Sequence, residues 1–480
     1  MKKSIETENV IFGLLITAFV IVTFTMGAIL YRTPKSDPAK TLKILLPASD
    51  DYILAQEKFT AAYKLVHPEI TISPILFSHR DVWQKLEFLM VAGIPPDISN
   101  IQQPNLPWFV DLGTVEPLDD WIRKDPEFDL SGIFPTCLDE GNWNGKQYAL
   151  PTQVSTVTLW YNKTLFDREG LAYPSGDWSL EDLMSAAKKL TKDFDGDGLV
   201  DQYGLYTDPN HWNRYPAWIW MQGGEFFSPD GMKCTFDEAK VVKSFQWLAD
   251  LMLKDKVMPS MTFMGEMNQA NLVLTGVVAM STQTRFFMAN IYAEKNRDKI
   301  GNYVFDVSEL PHDARRATTM MLEQWIVPNG ITDERKKMAL DYLKFLVGPA
   351  GQEAVADINI ALPVRRDAAE RMVTRPGRPL EHDRAYLDAI AYGRYFYRPI
   401  PAEPIFQQLR TYFYGVWTGR LTAKEVCDRI TSEANREIEK YVERYPDRRI
   451  PEQTKWVPFE QRAGQEGAGH ADTGGTTSGN

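Results

Sequence analysis

The sequence predicts an α/β protein of at least two domains, each built on a mainly parallel sheet, preceded by one membrane-spanning helix. Three observations predict it. From residue 41 onward, short apolar runs alternate with stretches of helical period, the pattern of strands joined by crossover helices. The chain has 480 residues, and single cores stop growing near ~250–300. Residues 10–30 (VIFGLLITAFVIVTFTMGAIL) carry no charge, and ~20 apolar residues suffice to cross ~30 Å of hydrocarbon.

The apolar run reads as an uncleaved signal anchor. A secretory core is shorter, about 7–15 residues, and ends at a small-residue cleavage site. Here Met26-Gly27-Ala28 is followed by the large Ile29, Leu30 and Tyr31. No cysteine lies near its end, which excludes a diacyl-lipoprotein anchor. Lys2 and Lys3 are offset by Glu6 and Glu8, and Arg32, Lys35, Lys40 and Lys43 follow the span, so flanking charge gives no clean orientation. Residues 1–9 are assigned to the cytoplasm and 32–40 to a polar linker.

Leu42–Leu46 is a strand, closed by Pro47 and the polar Ser49-Asp50-Asp51. Ile53–Val66 has helical spacing, with Phe59, Ala62, Tyr63 and Val66 on one face, and His67-Pro68 stops it. Ile70–Phe77 is a second strand, Asp81–Ala92 a second helix closed by Gly93, and Asp97-Ile98-Ser99 a third strand. Val157–Tyr161 is strand-like. Ser179–Thr191 is a helix with a serine cap and Glu181-Asp182 in its first turn. Helices are also expected at Asp237–Asp255, Asp333–Leu346 and Thr422–Arg444, and strands at Val277–Met280, Tyr303–Val307 and Leu322–Val327. The Gly/Thr/Ser-rich tail from Ala463 reads as disordered.

Composition narrows the partners. The apolar fraction of 44% and charged fraction of 24% are those of a globular protein. Sixty-four acidic against 53 basic residues give a net charge of −11, which excludes nucleic acid as a natural partner and mildly disfavours anionic ligands. Cys137, Cys234 and Cys427 are too few for a disulfide scaffold and lack metal-ligand spacing. They read as small buried apolar residues, with a Cys137–Cys234 bridge the alternative if the body is exported.

Several ordered stretches resemble the family 1 extracellular solute-binding proteins, the maltose-binding-protein-like branch. They are GIPPDISN with LGTVEPLDDWI, NGKQYALPTQVSTVTLWYNKTLF, GGEFFSPDG, LTGVVAMSTQTRFF, and YLKFLVGPAGQEAVA with ALPVRRDA. The resemblance covers roughly residues 41–450. It departs at Val277, where the family pattern has Lys, and at Ser281–Arg285, where it often has Gly and Trp. It implies a two-lobe periplasmic-binding-protein-like fold with an interlobe cleft. Lobe 1 would hold 41–152 plus 300–330, and lobe 2 would hold 155–298 plus 332–460. It implies a carbohydrate-like ligand, an ABC importer permease as partner, an extracytoplasmic body, no catalysis and no organic cofactor, while the membrane tether rests on the apolar run itself.

Sugars are held by aromatic faces and planar polar groups, so candidates are sought in the loops that reach a cleft. Asp50, beside Ser49, is a ligand carboxylate or a turn residue. The loop after the third strand offers Asn100, Gln102 and Gln103, of which Gln102 is the chosen contact. At the first crossing, Gln153 and Ser155 are ligand contacts or hinge residues. In HWNRYPAWIW, Pro216 and the polar neighbours break any regular period, which brings Trp212 and Trp218 forward as cleft aromatics with core burial as the alternative. Arg285 pairs with ligand or forms a lobe salt bridge. Glu323 and Trp325, near the third crossing, complete the set.

A separate motif spans Asp193, Asp195, Asp197, Leu199 and Asp201. These are positions 1, 3, 5, 7 and 9 of an EF-hand-like loop, with Gly198 at position 6, and they predict a structural Ca²⁺. Position 12 is Gly204, so the bidentate ligand would have to come from elsewhere. Two rival functions remain open at this stage. One is a membrane-tethered sensor. The other is a glycoside-acting enzyme with paired carboxylates, although no Ser-His-Asp order or nucleophile elbow appears.

Overall fold

The structure is a computed structural model that describes residues 37–446 except 80, 103, 104, 378, 379, 398, 399 and 407. The expected membrane span, Gln103 and the Gly/Thr/Ser-rich tail lie outside the described residues. Among the described residues, no helix is long and apolar enough to cross a membrane.

The chain opens with β1 (Thr41–Pro47), α1 (Asp50–Val66), β2 (Thr71–Phe77), α2 (Val82–Val91) and β3 (Ile98–Ile101). β1 is central and pairs in parallel with β2 and β3. All of β1 except Lys43 is buried, as a strand covered by helices on both faces must be. β2 is the edge strand, which lets it carry Pro74, a residue unable to donate to a ladder. α1 begins with Asp50 and Asp51, whose charges favour the helix N-terminus. Gly93, at φ +70°, follows α2 and ends that turn in a conformation costly for other residues.

Next come β4 (Leu150–Asn162), α3 (Leu180–Leu190), β5 (Tyr203–Tyr206), α4 (Tyr215–Met221), α5 (Ala239–Leu253), β6 (Val278–Thr284), β7 (Phe305–Ser308) and β8 (Thr318–Ile326). α3 begins with the expected Ser179 cap, completed as a capping box by Asp182. The sheet runs β2-β1-β3-β8-β4-β6-β5. β4 joins its two halves. It has 13 residues, all buried. Its first half pairs antiparallel with β8 from Leu150 to Thr156, and its second half pairs with β6 and β7 from Val157 to Asn162. β8 in turn pairs antiparallel with β3 through Gln324–Ile326. Two antiparallel strands therefore carry the chain between two parallel βαβ units.

The later helices are α6 (Asp333–Val347), α7 (Pro349–Ile358), α8 (Leu409–Trp417) and α9 (Ala423–Arg444). α6 and α7 correct the sequence-based allotment of 332–460 to lobe 2, because both pack on the first half. Gln56 of α1 donates to Tyr342 of α6 at 3.0 Å. Tyr63 meets the rings of Tyr342 and Phe345 edge-on at 4.9 and 5.1 Å. β7, expected in lobe 1, pairs with the far end of β4 on the edge opposite β6. The second half has an aromatic core in which Phe245 stacks on Phe413 at 4.2 Å and Phe226 meets Phe396 at 4.8 Å. Cys137, Cys234 and Cys427 are free and buried, so the Cys137–Cys234 bridge does not form.

Candidate functional site: the interlobe cleft

At the carboxyl ends of β1 and β3, where open α/β sheets bind ligands, polar side chains converge on Glu323 of β8. A register shift between Glu323 and Gln324 re-aims the strand there, as bulges do beside functional sites. Tyr52 of α1 donates its hydroxyl to Glu323 Oε2 in a short hydrogen bond. Asn100 Nδ2 donates to the same oxygen at 3.1 Å and to the Gln324 carbonyl at 3.2 Å. Gln102 Nε2 donates to the Tyr52 hydroxyl at 3.1 Å. Gln153, paired with Glu323 across the β4–β8 ladder, lies beside them.

Two small cavities adjoin this nest, each about 20 Å³, or roughly one water. The first is lined by Asp51, Tyr52, Gln153 and Glu323, with Phe286, Ile358 and Ile360 as its apolar wall. The second reaches Asn100, Thr152 and Trp325. Both open toward solvent, and they mark where the convergent polar groups meet the apolar wall. A larger groove of about 580 Å³ lies between α5 and Lys424 on the outer side of the second half, away from the convergent polar groups.

Burial sets the electrostatics. Glu323 is 6% exposed, and its carboxyl is pushed from 4.5 up to about 7 by desolvation. The Asp51 charge adds to this, while hydrogen bonds from Tyr52, Asn100 and Gln102 oppose it. Glu140, wholly buried behind it, is raised well above the usual range, first by burial and then by the Glu323 charge. Tyr52 is raised well above its ordinary value, chiefly by burial and next by Glu323.

Of the residues predicted from sequence, Gln102, Glu323 and Trp325 meet in the nest. Trp325 is a buried wall whose Nε1 donates to Thr152 Oγ1 at 3.1 Å. Four expectations are corrected. Asp50 is exposed at the helix start, and it is Asp51, one residue further round the helix, that lines the cavity. Ser155 follows the hinge reading, its Oγ accepting from the Arg285 amide at 2.7 Å. Arg285 is wholly buried and salt-bridged, donating to both oxygens of Asp383 at 2.9 and 2.8 Å and to Asn359 at 2.8 Å, so it faces no ligand. Trp218 is core, with 0% exposure and Nε1 bonded to Thr207 at 3.0 Å. Trp212 is half-buried against His211, the two rings stacked 6.1 Å apart. Sequence reasoning missed Tyr52 and Phe286. The signal for Tyr52 was an aromatic in the first turn of the helix after the first strand.

In the acidic loop, Asp193, Asp195 and Asp197 bring carboxylate oxygens within 4.8 Å of one another. Asp201 is turned elsewhere, accepting the Phe194 amide at 2.7 Å, and Leu199 is exposed. Three of the predicted cation ligands are therefore grouped, and Asp201 stands apart from them.

Two parallel βαβ units joined by antiparallel crossing strands, with convergent polar groups at the crossing, define a two-lobe solute-binding fold. The chain belongs to the bacterial extracellular solute-binding protein family, whose profile matches residues 55–377. It is 28% identical over 254 residues to a binding protein of Brucella abortus (strain 2308), 51% of this chain and 58% of that protein. It thus spans less than two thirds of the curated relatives it matches. Among solved structures it resembles the ABC substrate-binding protein Lmo0181 of Listeria monocytogenes in complex with cycloalternan (TM-score 0.73, 20% identity, 83% of this chain and 99% of that one). It also resembles a solute-binding protein of Thermotoga lettingae bound with α-D-tagatose (TM-score 0.68, 21% identity, 83% and 100%) and maltose-bound T. maritima MalE3 (0.68, 18%, 82% and 98%). At these identities the likeness speaks to fold.

Proposed function

We propose that the chain captures a carbohydrate-like solute in the interlobe cleft and hands it to an ABC importer permease, without making or breaking a bond. The observation that carries this is the Tyr52–Glu323–Asn100–Gln102 nest at the strand crossing, set opposite the apolar Phe286, Ile358 and Ile360. A few fixed polar groups facing an apolar wall suit a ring with hydroxyl edges and C–H faces. Solved relatives of this fold hold cycloalternan, tagatose and maltose. Ligand on one lobe gains contacts from the other and shifts an open–closed equilibrium. The body works on the extracytoplasmic side, tethered through residues 10–30, and the Asp193–Asp195–Asp197 group holds a structural Ca²⁺.

The test is a sugar panel on the full chain in mild detergent, read by melting temperature and by solution scattering, with Ca²⁺ and with EGTA. At least one saccharide is expected to raise the melting temperature and lower the radius of gyration. Ca²⁺ is expected to raise the melting temperature on its own. Hydrolysis of any glycoside in the panel, or no closure with every sugar, would count against the transport reading. An EGTA-insensitive melt would remove the calcium site.

A further inference from the structure

Among the described residues, the second half carries a buried cation with no carboxylate in salt-bridge contact. Arg214, just before α4, is 6% exposed. Its Nε donates to the Thr282 carbonyl at 3.0 Å, its Nη1 to Asn213 Oδ1 at 2.5 Å and its Nη2 to Gln283 Oε1 at 3.3 Å. Every one of these acceptors is neutral. A guanidinium has five N–H donors, so two are unspent among the described residues. Burial lowers its affinity for its proton, to about 10, as expected of a desolvated charge lacking a close counter-ion. Asp208 is near enough to be felt, yet it is half-exposed and its Oδ1 accepts the Asn210 amide at 2.9 Å.

A second, independent observation sits beside it. Gln283, on β6, is 1% exposed, and its Nε2 is buried with no partner among the described residues. Its orientation is fixed, because its oxygen accepts from both Arg214 and Gln269. Two planar donor groups, one charged, therefore lie side by side in the wall of the second half.

Position ties them to the cleft. Gln283 lies three residues before Phe286, which lines the first cavity. The amide of Asn213 touches the Met321 sulfur, and Met321 is on the same face of β8 as Glu323, about 7 Å along the strand. His211, in the same loop, is exposed and stacks on Trp212. The cleft is thus polarised. Acceptors, Asp51 and Glu323, belong to the first half and the crossing, and unspent donors belong to the second half beside the Asn213–Met321 contact.

We infer that the solute is an acidic saccharide, whose carboxylate docks on Arg214 and Gln283 while its hydroxyls face Glu323 and Asp51. The inference rests on the carbohydrate reading above and narrows it. One negative charge matches one guanidinium, and a planar carboxylate matches two planar donors. A phosphate dianion would leave excess charge facing Asp208. The net charge of −11 is spread over the surface and screened, whereas this site is buried.

Titration calorimetry on the full chain in mild detergent tests it. The probes are glucuronate- and galacturonate-bearing mono- and disaccharides, their neutral counterparts and glucose 6-phosphate. One uronate is expected to bind about tenfold or more tighter than its neutral counterpart, the scale of a hydrogen-bonded charge pair. R214Q is expected to bring that ratio near one. R214K, which keeps the charge and guards against a misfolded R214Q, should retain part of it, and rising salt should weaken the wild-type preference. Equal affinity for neutral and acidic sugars, tightest binding of glucose 6-phosphate, or a preference that survives R214Q would overturn the inference while leaving carbohydrate binding intact. No heat and no closure with any saccharide would overturn both.

Discussion

At the level of single residues, the most consequential group is Glu323. Its carboxyl titrates near 7 in the fold and near 4.5 when exposed, so between those values the native chain holds more protons than the unfolded one. Stability from this group is complete below about 4.5 and is lost as pH rises through about 7. The difference is on the order of 3 kcal/mol. The melting temperature of the wild-type chain is therefore expected to fall from pH 5 to pH 8, and E323Q is expected to flatten that slope. A slope unchanged by E323Q would mean that the carboxyl titrates normally. Glu323 itself was legible in the sequence because it precedes the third crossing, whereas Tyr52 was not. Only the fold shows that the third residue of a helix 271 positions away donates to it. Arg285 misled for a related reason. A cation at a strand end suits ligand or salt bridge equally, and the choice depends on Asp383, 98 residues on.

At the level of elements, the parallel β1–β3 unit and the capped α3 and α9 were readable from alternation, length and cap residues. The placement of α6 and α7 was not, since amphipathic period says that a helix has a buried face but not which lobe supplies the cover. The Arg285–Asp383 pair joins the end of β6 to the segment before Tyr386, and the Arg285 amide is bonded to Ser155 of β4. Removing one partner of such a buried pair leaves a bare charge, at a cost of about 3–5 kcal/mol. R285A is expected to lower unfolding free energy by that amount in urea titration, with ligand affinity measured below its melting temperature little changed. A large loss of affinity with unchanged stability would return Arg285 to the binding site.

For the molecule as a whole, the family and the two-lobe plan were legible from the ordered set of local stretches, while the state of the cleft was not. The side chains around Glu323 are already hydrogen-bonded to one another across the crossing, Tyr52 and Asn100 to its carboxylate and Gln102 to Tyr52. Capture therefore includes the exchange of those internal contacts for ligand contacts, and tight solutes are those that replace the hydrogen bonds around Glu323 one for one.

The 13-residue strand common to both halves bears on how the chain reaches its fold. Because β4 contributes hydrogen bonds on both sides of the crossing, neither half has a complete sheet without segments distant in sequence. Such long-range pairing makes folding slow. It also binds the halves into one cooperative unit, so calorimetry is expected to record a single melting transition rather than two, and a chain cut between residues 156 and 157 would yield no self-sufficient fragment.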